Sequence, residues 1–559
     1  MEPPSRRTFR PSKPNMDLEH STSRPARGHS RPVGPFDSAA YLAISAVAVL
    51  LHVVVFCRAG ALWRDEVSSI QLATLPTFGG MWKSLDMPVL FPTVLRLWAI
   101  PGQADLWLRV LGLLVGLGIV VALWINARTM GYRFPFISLG LLAANVVLIR
   151  WGDSLRAYGI GALAIALAVG QIWSLMCQPT QRNFAMATVL AALSVHCLFQ
   201  NAFLLGGICV AAILLCLLRK QPRTAVMVLG VGGLAAISLL VYYPLLTHAA
   251  PGWEILRSGF KGPVVLMMVS EALDSPPYVG PWVWLAIILA CAGVGLAAFD
   301  RGSRDNRVTR MDLPLYAGAC AGFGIAGYFL FLGLAKLPTQ PWYYVPLMVY
   351  VAVCLDAGLA HWFIRNPRVW AIGAAVFCSL SLPFAINQAR FRQTTIDVIA
   401  DFLKTNAGPK DFIIVYPWYN GVTFDYYYNG VARWDTLPSL ADHRGHRYDL
   451  LHEKLASEEP IKDMQERALG ALAAGGNLWV VGSLPAPAEG ETKPPTLSPA
   501  PMETTGWADE PYTYTWGRQM DFFLRGRGAQ LEPVTIHLPT ATNRYEAPLL
   551  FKVRSASPR

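Results

Sequence analysis

The sequence predicts a polytopic α-helical membrane protein that ends in an extracytoplasmic α/β domain. Three observations carry that reading. Apolar runs of roughly 17 to 25 residues, the length that crosses a bilayer, recur as far as residue 387. Hydrophobic residues make up 53% of the 559 and charged residues 15%, with mean hydropathy +0.37, whereas a soluble protein carries about a quarter charged residues. Beyond residue 387 the composition turns to a soluble type.

Residues 1–37 are rich in Pro, Arg and Ser. Such a stretch buries too little apolar surface to offset its ordering entropy, which predicts a disordered tail. The apolar run after it lacks a small-residue cleavage site, so it does not read as a signal peptide. Arg6, Arg7, Arg10, Arg24, Arg27 and Arg31 predict a cytoplasmic N-terminus.

About eleven spans follow, near 39–57, 104–126, 135–150, 157–177, 184–199, 201–218, 224–245, 281–299, 312–334, 342–360 and 368–387. The loops expected inside carry Arg128 and Arg133, then Arg182, then Arg219, Lys220 and Arg223, then Arg301, Arg304, Arg307 and Arg310, then Arg365 and Arg368. The opposite loops are poorer in cations, so one orientation fits every span. The prediction is a multi-pass protein of the cell (inner) membrane, with residues 38–387 forming the transmembrane domain and residues 388–559 lying outside.

Within the last segment, RQTTIDVIADFLKTN spaces Ile396, Ile399, Phe402 and Leu403 as one helix face, and Gly408-Pro409 ends it. DFIIVYP and GNLWVVGS (476–483) read as buried strands, the second preceded by a helix around 460–473. This alternation predicts a small α/β domain. Residues 484–503 read as a Pro-rich loop.

The net charge of +11 and pI near 9.2 do not point to nucleic acid, because the cations sit in the tail and the short loops. The nine cysteines all precede residue 379 and lie in or beside apolar spans, without CxxC or Cys/His zinc spacing.

Chemistry concentrates in the loops expected outside. The first, residues 58–103, opens with Asp65-Glu66, and Asp86 follows in KSLDMPVLFP. Carboxylates beside hydrocarbon are costly to keep charged. They read either as a base or metal ligand, or as the acidic first turn of a short helix. NVVLIRWGDSLRAYGIGALA places Arg150, Asp153, Arg156 and Tyr158 where the chain leaves the membrane. Guanidinium suits phosphate, while snorkelling arginines are the plainer alternative. GLAKLPTQPWYYVPLM offers Lys336 as its only charge. His196 ends the fifth span on the same side, either facing the same cavity or as a hydrogen-bonded structural residue. In the C-terminal domain, VYPWYNGVTFDYYYNGVARW and DHRGHRYDLLHEKL mix aromatics with His443, His446 and Asp442, at no standard metal spacing.

Together RDEVSSIQLA, LRAYGIGALAIALA and AKLPTQPWYYVPL resemble, over residues 39–387, the loop motifs of the GT-C superfamily of membrane glycosyltransferases. The likeness is to bacterial relatives of protein O-mannosyltransferases and of lipid A aminoarabinose transferases. Ala157 stands where the family has proline, and Asp153 is an offset counterpart of the acidic residue before the family's arginine. The resemblance implies a polyprenyl-phosphate sugar donor, inverting transfer at the outer leaflet, and a glycan, lipid or protein acceptor. It implies Asp65 as general base, metal ligand or both, with Glu66 in support. Arg156 and Lys336 would hold the donor phosphate beside Tyr158, and Asp86 would line the acceptor side. A divalent cation (Mg or Mn) at Asp65 is the one cofactor it admits. Two other classes use the same features without a base: a transporter or flippase of lipid-linked sugars, and a non-catalytic glycan-binding scaffold. The spans lack the inverted repeat or paired broken helices expected of the first.

Overall fold

The computed structural model describes residues 35–85, 87–247, 252–300, 307–487, 491–538 and 540–554. Most of the N-terminal tail lies outside these, as does Asp86. Among the described residues nine helices are long and apolar enough to cross a membrane. They are Ser38–Arg58, Asp105–Met130, Ala157–Cys177, Gln200–Leu218, Pro222–Leu245, Gly280–Ala298, Arg310–Ala335, Pro341–Phe363 and Pro367–Ala389. Helices satisfy their own backbone groups where no water can, so the chain is a multi-pass membrane protein.

The two remaining predicted spans depart from the expectation in instructive ways. The stretch 135–150 breaks into Phe136–Leu142 and Val146–Trp151. At the break Asn145 accepts from the Leu148 N–H (2.8 Å) and donates to the Ala272 carbonyl (3.0 Å), capping a new helix inside an apolar run. The stretch 184–199 is the helix Gln181–Cys197, of 17 residues.

The bundle is organised around Pro341–Phe363, whose apolar window is 94% buried, against 17% for Gly280–Ala298. The first runs through the interior and the second turns Trp282, Leu289 and Leu296 outward. Asp105–Met130 carries Gly112 and Gly116 on one face, and the turn 152–156 packs directly on them. A Cβ at Gly112 would collide with the Asp153 carbonyl, and one at Gly116 with the Asp153 carboxylate and His52. Asp153 is held there by the His52 ring, whose Nδ1 lies 2.8 Å from both carboxylate oxygens. Small residues let the backbones approach closely enough for this pairing.

The sequence places Arg150 among the candidate phosphate ligands, but its guanidinium is occupied elsewhere. It donates to the carbonyls of Gln388 (2.8 Å) and Arg392 (2.9 Å) and to Gln393 Oε1. Arg150 therefore ties the end of the last membrane helix to the start of the C-terminal α/β part.

That part is a five-stranded sheet in the order β2-β1-β3-β5-β4. Its strands are β1 (Phe412–Val415), β2 (Arg433–Thr436), β3 (Leu478–Val481), β4 (Gln530–Val534) and β5 (Leu550–Arg554). β1 runs parallel to both β2 and β3, so that Ile413 faces Trp434 on one side and Trp479 on the other. β5 closes antiparallel on β3, and β4 on β5. The wholly buried FIIV of β1 serves two cores. Phe412 and Ile414 pack with Leu451, Met464 and Trp516, and Ile413 and Val415 with Ile396, Leu403 and Phe424.

Replacing Gly116 with Ala forces Asp153 and His52 apart. The expected cost is about 1–3 kcal/mol, the usual penalty of overpacking. It should be read as a lower thermal midpoint in detergent; an unchanged midpoint would mean the turn is not held by this packing.

Candidate active site

The Asp65-Glu66 pair begins a short helix, Arg64–Ala73, and the fold gives the two carboxylates opposite environments. Glu66 is fully buried. Arg109, from the long helix Asp105–Met130, donates to it in bidentate fashion, from Nη1 to Oε1 at 3.2 Å and from Nη2 to Oε2 at 3.0 Å. The Leu155 N–H adds a bond to Oε1 (3.1 Å) and the Trp63 N–H one to Oε2 (3.4 Å). Arg109 Nε and Nη2 also donate to the carbonyls of Gly60 (3.0 Å) and Ala61 (2.7 Å). Every strong acceptor position of Glu66 is therefore used in holding the loop together.

Asp65, one residue earlier, points the other way. Its side chain retains 17% exposure and lies at long range from the Arg64 guanidinium (Nε at 3.9 Å) and the His446 ring (Nε2 at 3.7 Å). Its backbone carbonyl accepts from Ser69 Oγ (3.0 Å) and Arg156 Nη1 (3.3 Å), and Arg156 also donates to Ser69 Oγ (3.2 Å). Arg156 is the N-cap residue of Ala157–Cys177, at the end of the 152–156 turn that Gly112 and Gly116 admit. Its guanidinium lies over the Tyr158 ring at 6.0 Å, and Tyr158 stacks on Tyr343 at 5.3 Å. Asp65, Arg156 and Tyr158 thus sit together, and the loop that follows Lys336 reaches them through Tyr343.

Lys336 itself caps Leu313–Ala335 in a left-handed conformation, with φ 52°. It is exposed; its N–H donates to the Leu332 carbonyl (3.0 Å), and its side chain makes no hydrogen bond or ion pair among the described residues. His196 is not joined to the cluster. Its Nδ1 lies 2.7 Å from Tyr242 Oη and its Nε2 3.0 Å from Ser238 Oγ, so both ring nitrogens serve the helix packing.

The C-terminal α/β part packs on the other side. Loops that leave the C-terminal ends of parallel strands are where α/β sheets bind ligands, and here those loops face the helix Arg64–Ala73. After β1, Tyr419 lies under the Arg64 guanidinium at 4.7 Å. After β2, the loop donates Gly445 N–H to Gln71 Oε1 (2.8 Å) and brings in His446. Glu546 accepts the Arg64 N–H (2.9 Å), satisfying a free amide of the first helical turn, and Tyr427 accepts from Leu62 N–H and donates to Asp105 (both 2.7 Å). His446 stands beside Tyr448 and Trp418. Burial, opposed by Asp65 and reinforced by Arg64 and Arg156, pushes its pKa down to about 4, so the imidazole is neutral at physiological pH. Glu546 is pushed up to about 7, again by burial, against the pull of Arg64. Sequence reasoning singles out the segments of Tyr419 and His446 only for their composition and overlooks Glu546. Their position after β1 and β2 is the signal that identifies the first two.

A divalent cation at Asp65 finds few donors. Among the described residues no group of three His, Cys, Asp or Glu side chains could hold a metal ion. Asp65 and His446 offer two ligands, Glu66 is engaged by Arg109, and Arg64 and Arg156 bring positive charge to the same place. These residues do not fit a metal centre.

The chain matches no family model and no curated protein. Among solved structures it is similar to apo ArnT from Cupriavidus metallidurans, with TM-score 0.50 and 13% identity over 92% of this chain and 98% of that one. ArnT bound to undecaprenyl phosphate aligns with TM-score 0.46 and 13% identity, over 91% and 97% of the chains. The Archaeoglobus fulgidus oligosaccharyltransferase in complex with Zn and sulfate aligns with TM-score 0.44 and 11% identity, over 79% and 68%. The alignment with apo ArnT spans nearly both chains, so the likeness is one of overall fold.

Two outcomes follow from this geometry. Glu66→Ala leaves Arg109 buried without its counter-charge and should cost about 3–5 kcal/mol, seen as loss of folded yield or a much lower thermal midpoint; wild-type stability would contradict the role given to the pair. His446 binds its proton more weakly in the folded protein than in the unfolded chain, so stability falls as pH drops from the ordinary 6.5 towards about 4. The full interval corresponds to roughly 3 kcal/mol. His446→Gln should flatten the decline of the thermal midpoint across that window, and an identical decline in the variant would exclude His446 as its source.

Proposed function

We propose that this chain is a glycosyltransferase that moves a sugar from a polyprenyl-phosphate-linked donor to an acceptor at the outer face of the membrane, with Asp65 as general base. The N-terminus then lies in the cytoplasm and the α/β part outside the cell (inner) membrane, as the alternating loop charges favour. The observation that carries the reading is the division of labour within the acidic pair. Glu66 is engaged by Arg109, while Asp65 keeps 17% exposure beside Arg156, Tyr158 and His446.

In this reading the acceptor hydroxyl approaches Asp65, whose carboxylate takes its proton as the oxygen bonds to the anomeric carbon. The bond from that carbon to the phosphate oxygen breaks on the opposite face, which inverts the configuration. Polyprenyl phosphate leaves with the electron pair, and its negative charge is met by Arg156 and, across the loop, by Lys336. A neutral His446 favours this step, because a charged imidazole beside Asp65 would hold the carboxylate in an ion pair and weaken it as a base. Desolvation by the two walls strengthens these interactions.

Purified protein given labelled polyprenyl-phosphate sugars and candidate acceptors should release polyprenyl phosphate. Asp65→Asn should lower the rate by about 10²–10⁴, the usual contribution of a positioned base, while folding and membrane insertion are unchanged. Full activity of the variant would remove the assignment.

A further inference from the structure

The α/β part holds a second polar cavity, which the transfer step does not use. It measures about 440 Å³ and opens at the C-terminal end of β2. Its floor is Asp435, 2% exposed, which accepts from Arg467 and Ser439 and lies 3.3 Å from His443 Nε2. The His443 ring lies against Trp434, with centroids 4.5 Å apart. Glu453 and the Lys454–Asp463 pair (3.1 Å) complete the rim.

The charges of this lining nearly balance: three carboxylates face two permanent cations and one imidazole. An anion or a cation entering the cavity would meet groups of its own sign. A neutral ligand that both donates and accepts hydrogen bonds meets partners of both kinds at the rim, where Glu453 only accepts and Lys454 and Arg467 only donate, while Asp435 below is already engaged. The floor is fixed in advance by its own hydrogen bonds, so little ordering remains to be done on binding.

The cavity's position points the same way. The segment that leaves β2 lines the cavity with Ser439 and His443, then docks on the helix Arg64–Ala73 through Gly445, and sets His446 3.7 Å from Asp65. Three residues of chain span at most about 11 Å, so the cavity lies within an oligosaccharide's length of Asp65. We propose that this cavity is an acceptor subsite that binds the distal units of a neutral glycan whose reacting hydroxyl is presented to Asp65. The proposal rests on the transferase reading for the word acceptor, and on the cavity alone for glycan binding.

The test uses full-length protein in nanodiscs, with fluorescently labelled mannotriose, chitotriose and maltotriose as probes. The double variant Glu453→Ala/Arg467→Met changes two exposed side chains, and Glu453→Lys alone serves as a second variant with the least burden on folding. At least one trisaccharide should bind wild type and Asp65→Asn equally, with affinity falling about tenfold in the double variant, the equivalent of one or two hydrogen bonds. In the transfer assay the acceptor KM should rise by a similar factor, with kcat and donor KM unchanged. Absence of trisaccharide binding, or equal binding and equal acceptor KM in wild type and variants, overturns the subsite while leaving the transferase reading intact. Variant-sensitive binding in a wild-type protein that transfers no sugar supports the cavity as a glycan site and overturns the transferase reading.

Discussion

The buried ion pair between Glu66 and Arg109 is the contact on which the rest of the cleft depends. It joins three pieces of chain at one point: the helix Arg64–Ala73, the membrane helix Asp105–Met130, and, through Leu155 N–H, the turn that delivers Arg156. Desolvating two charges is expensive, and such a pair contributes little net stability compared with apolar packing. What it provides is registry. With Glu66 and Arg109 locked, the adjacent Asp65 is turned into the cleft, and its carbonyl accepts from Arg156. Two consecutive acidic residues thus divide into one that builds and one that remains accessible.

The second constraint comes from the α/β part, which does more than sit beside the bundle. Glu546 takes a first-turn amide of the helix Arg64–Ala73, Tyr427 bridges Leu62 and Asp105, and Gly445 binds Gln71. Each thread ends on the acidic loop or the membrane helix behind it. The parallel strands β1 and β2 direct their C-terminal loops to the same place, so the common ligand-binding edge of an α/β sheet faces a carboxylate supplied by a membrane loop. Any relative movement of the two parts would therefore be felt at Asp65.

Much of this was legible in the residues, for reasons that differ by region. Nine long helices coincide with predicted spans because bilayer-length apolar runs are an unambiguous signal. The break at Asn145 was hidden, since one polar residue in an apolar run changes hydropathy little while its cap changes the helix. β1 and β3 were readable as buried apolar runs; β2 (RWDT), β4 (QLEPV) and β5 (LFKVR) were missed because short, half-exposed strands carry no comparable pattern. In the cleft, Asp65, Arg156 and Tyr158 come together as their loops suggested. Arg150 and His196 share the same composition signal but are consumed by packing. His446 and Glu546 reach the cleft only through the tertiary fold, which local sequence cannot express.

The most direct measurement is a structure of the Asp65→Asn protein with a polyprenyl-phosphate sugar bound. The donor phosphate is expected within hydrogen-bonding distance of Arg156, with the anomeric carbon of the sugar turned towards residue 65 and His446 on the far wall. A donor phosphate seated away from Arg156, or a sugar turned away from residue 65, would contradict the assignment of Asp65 as the base.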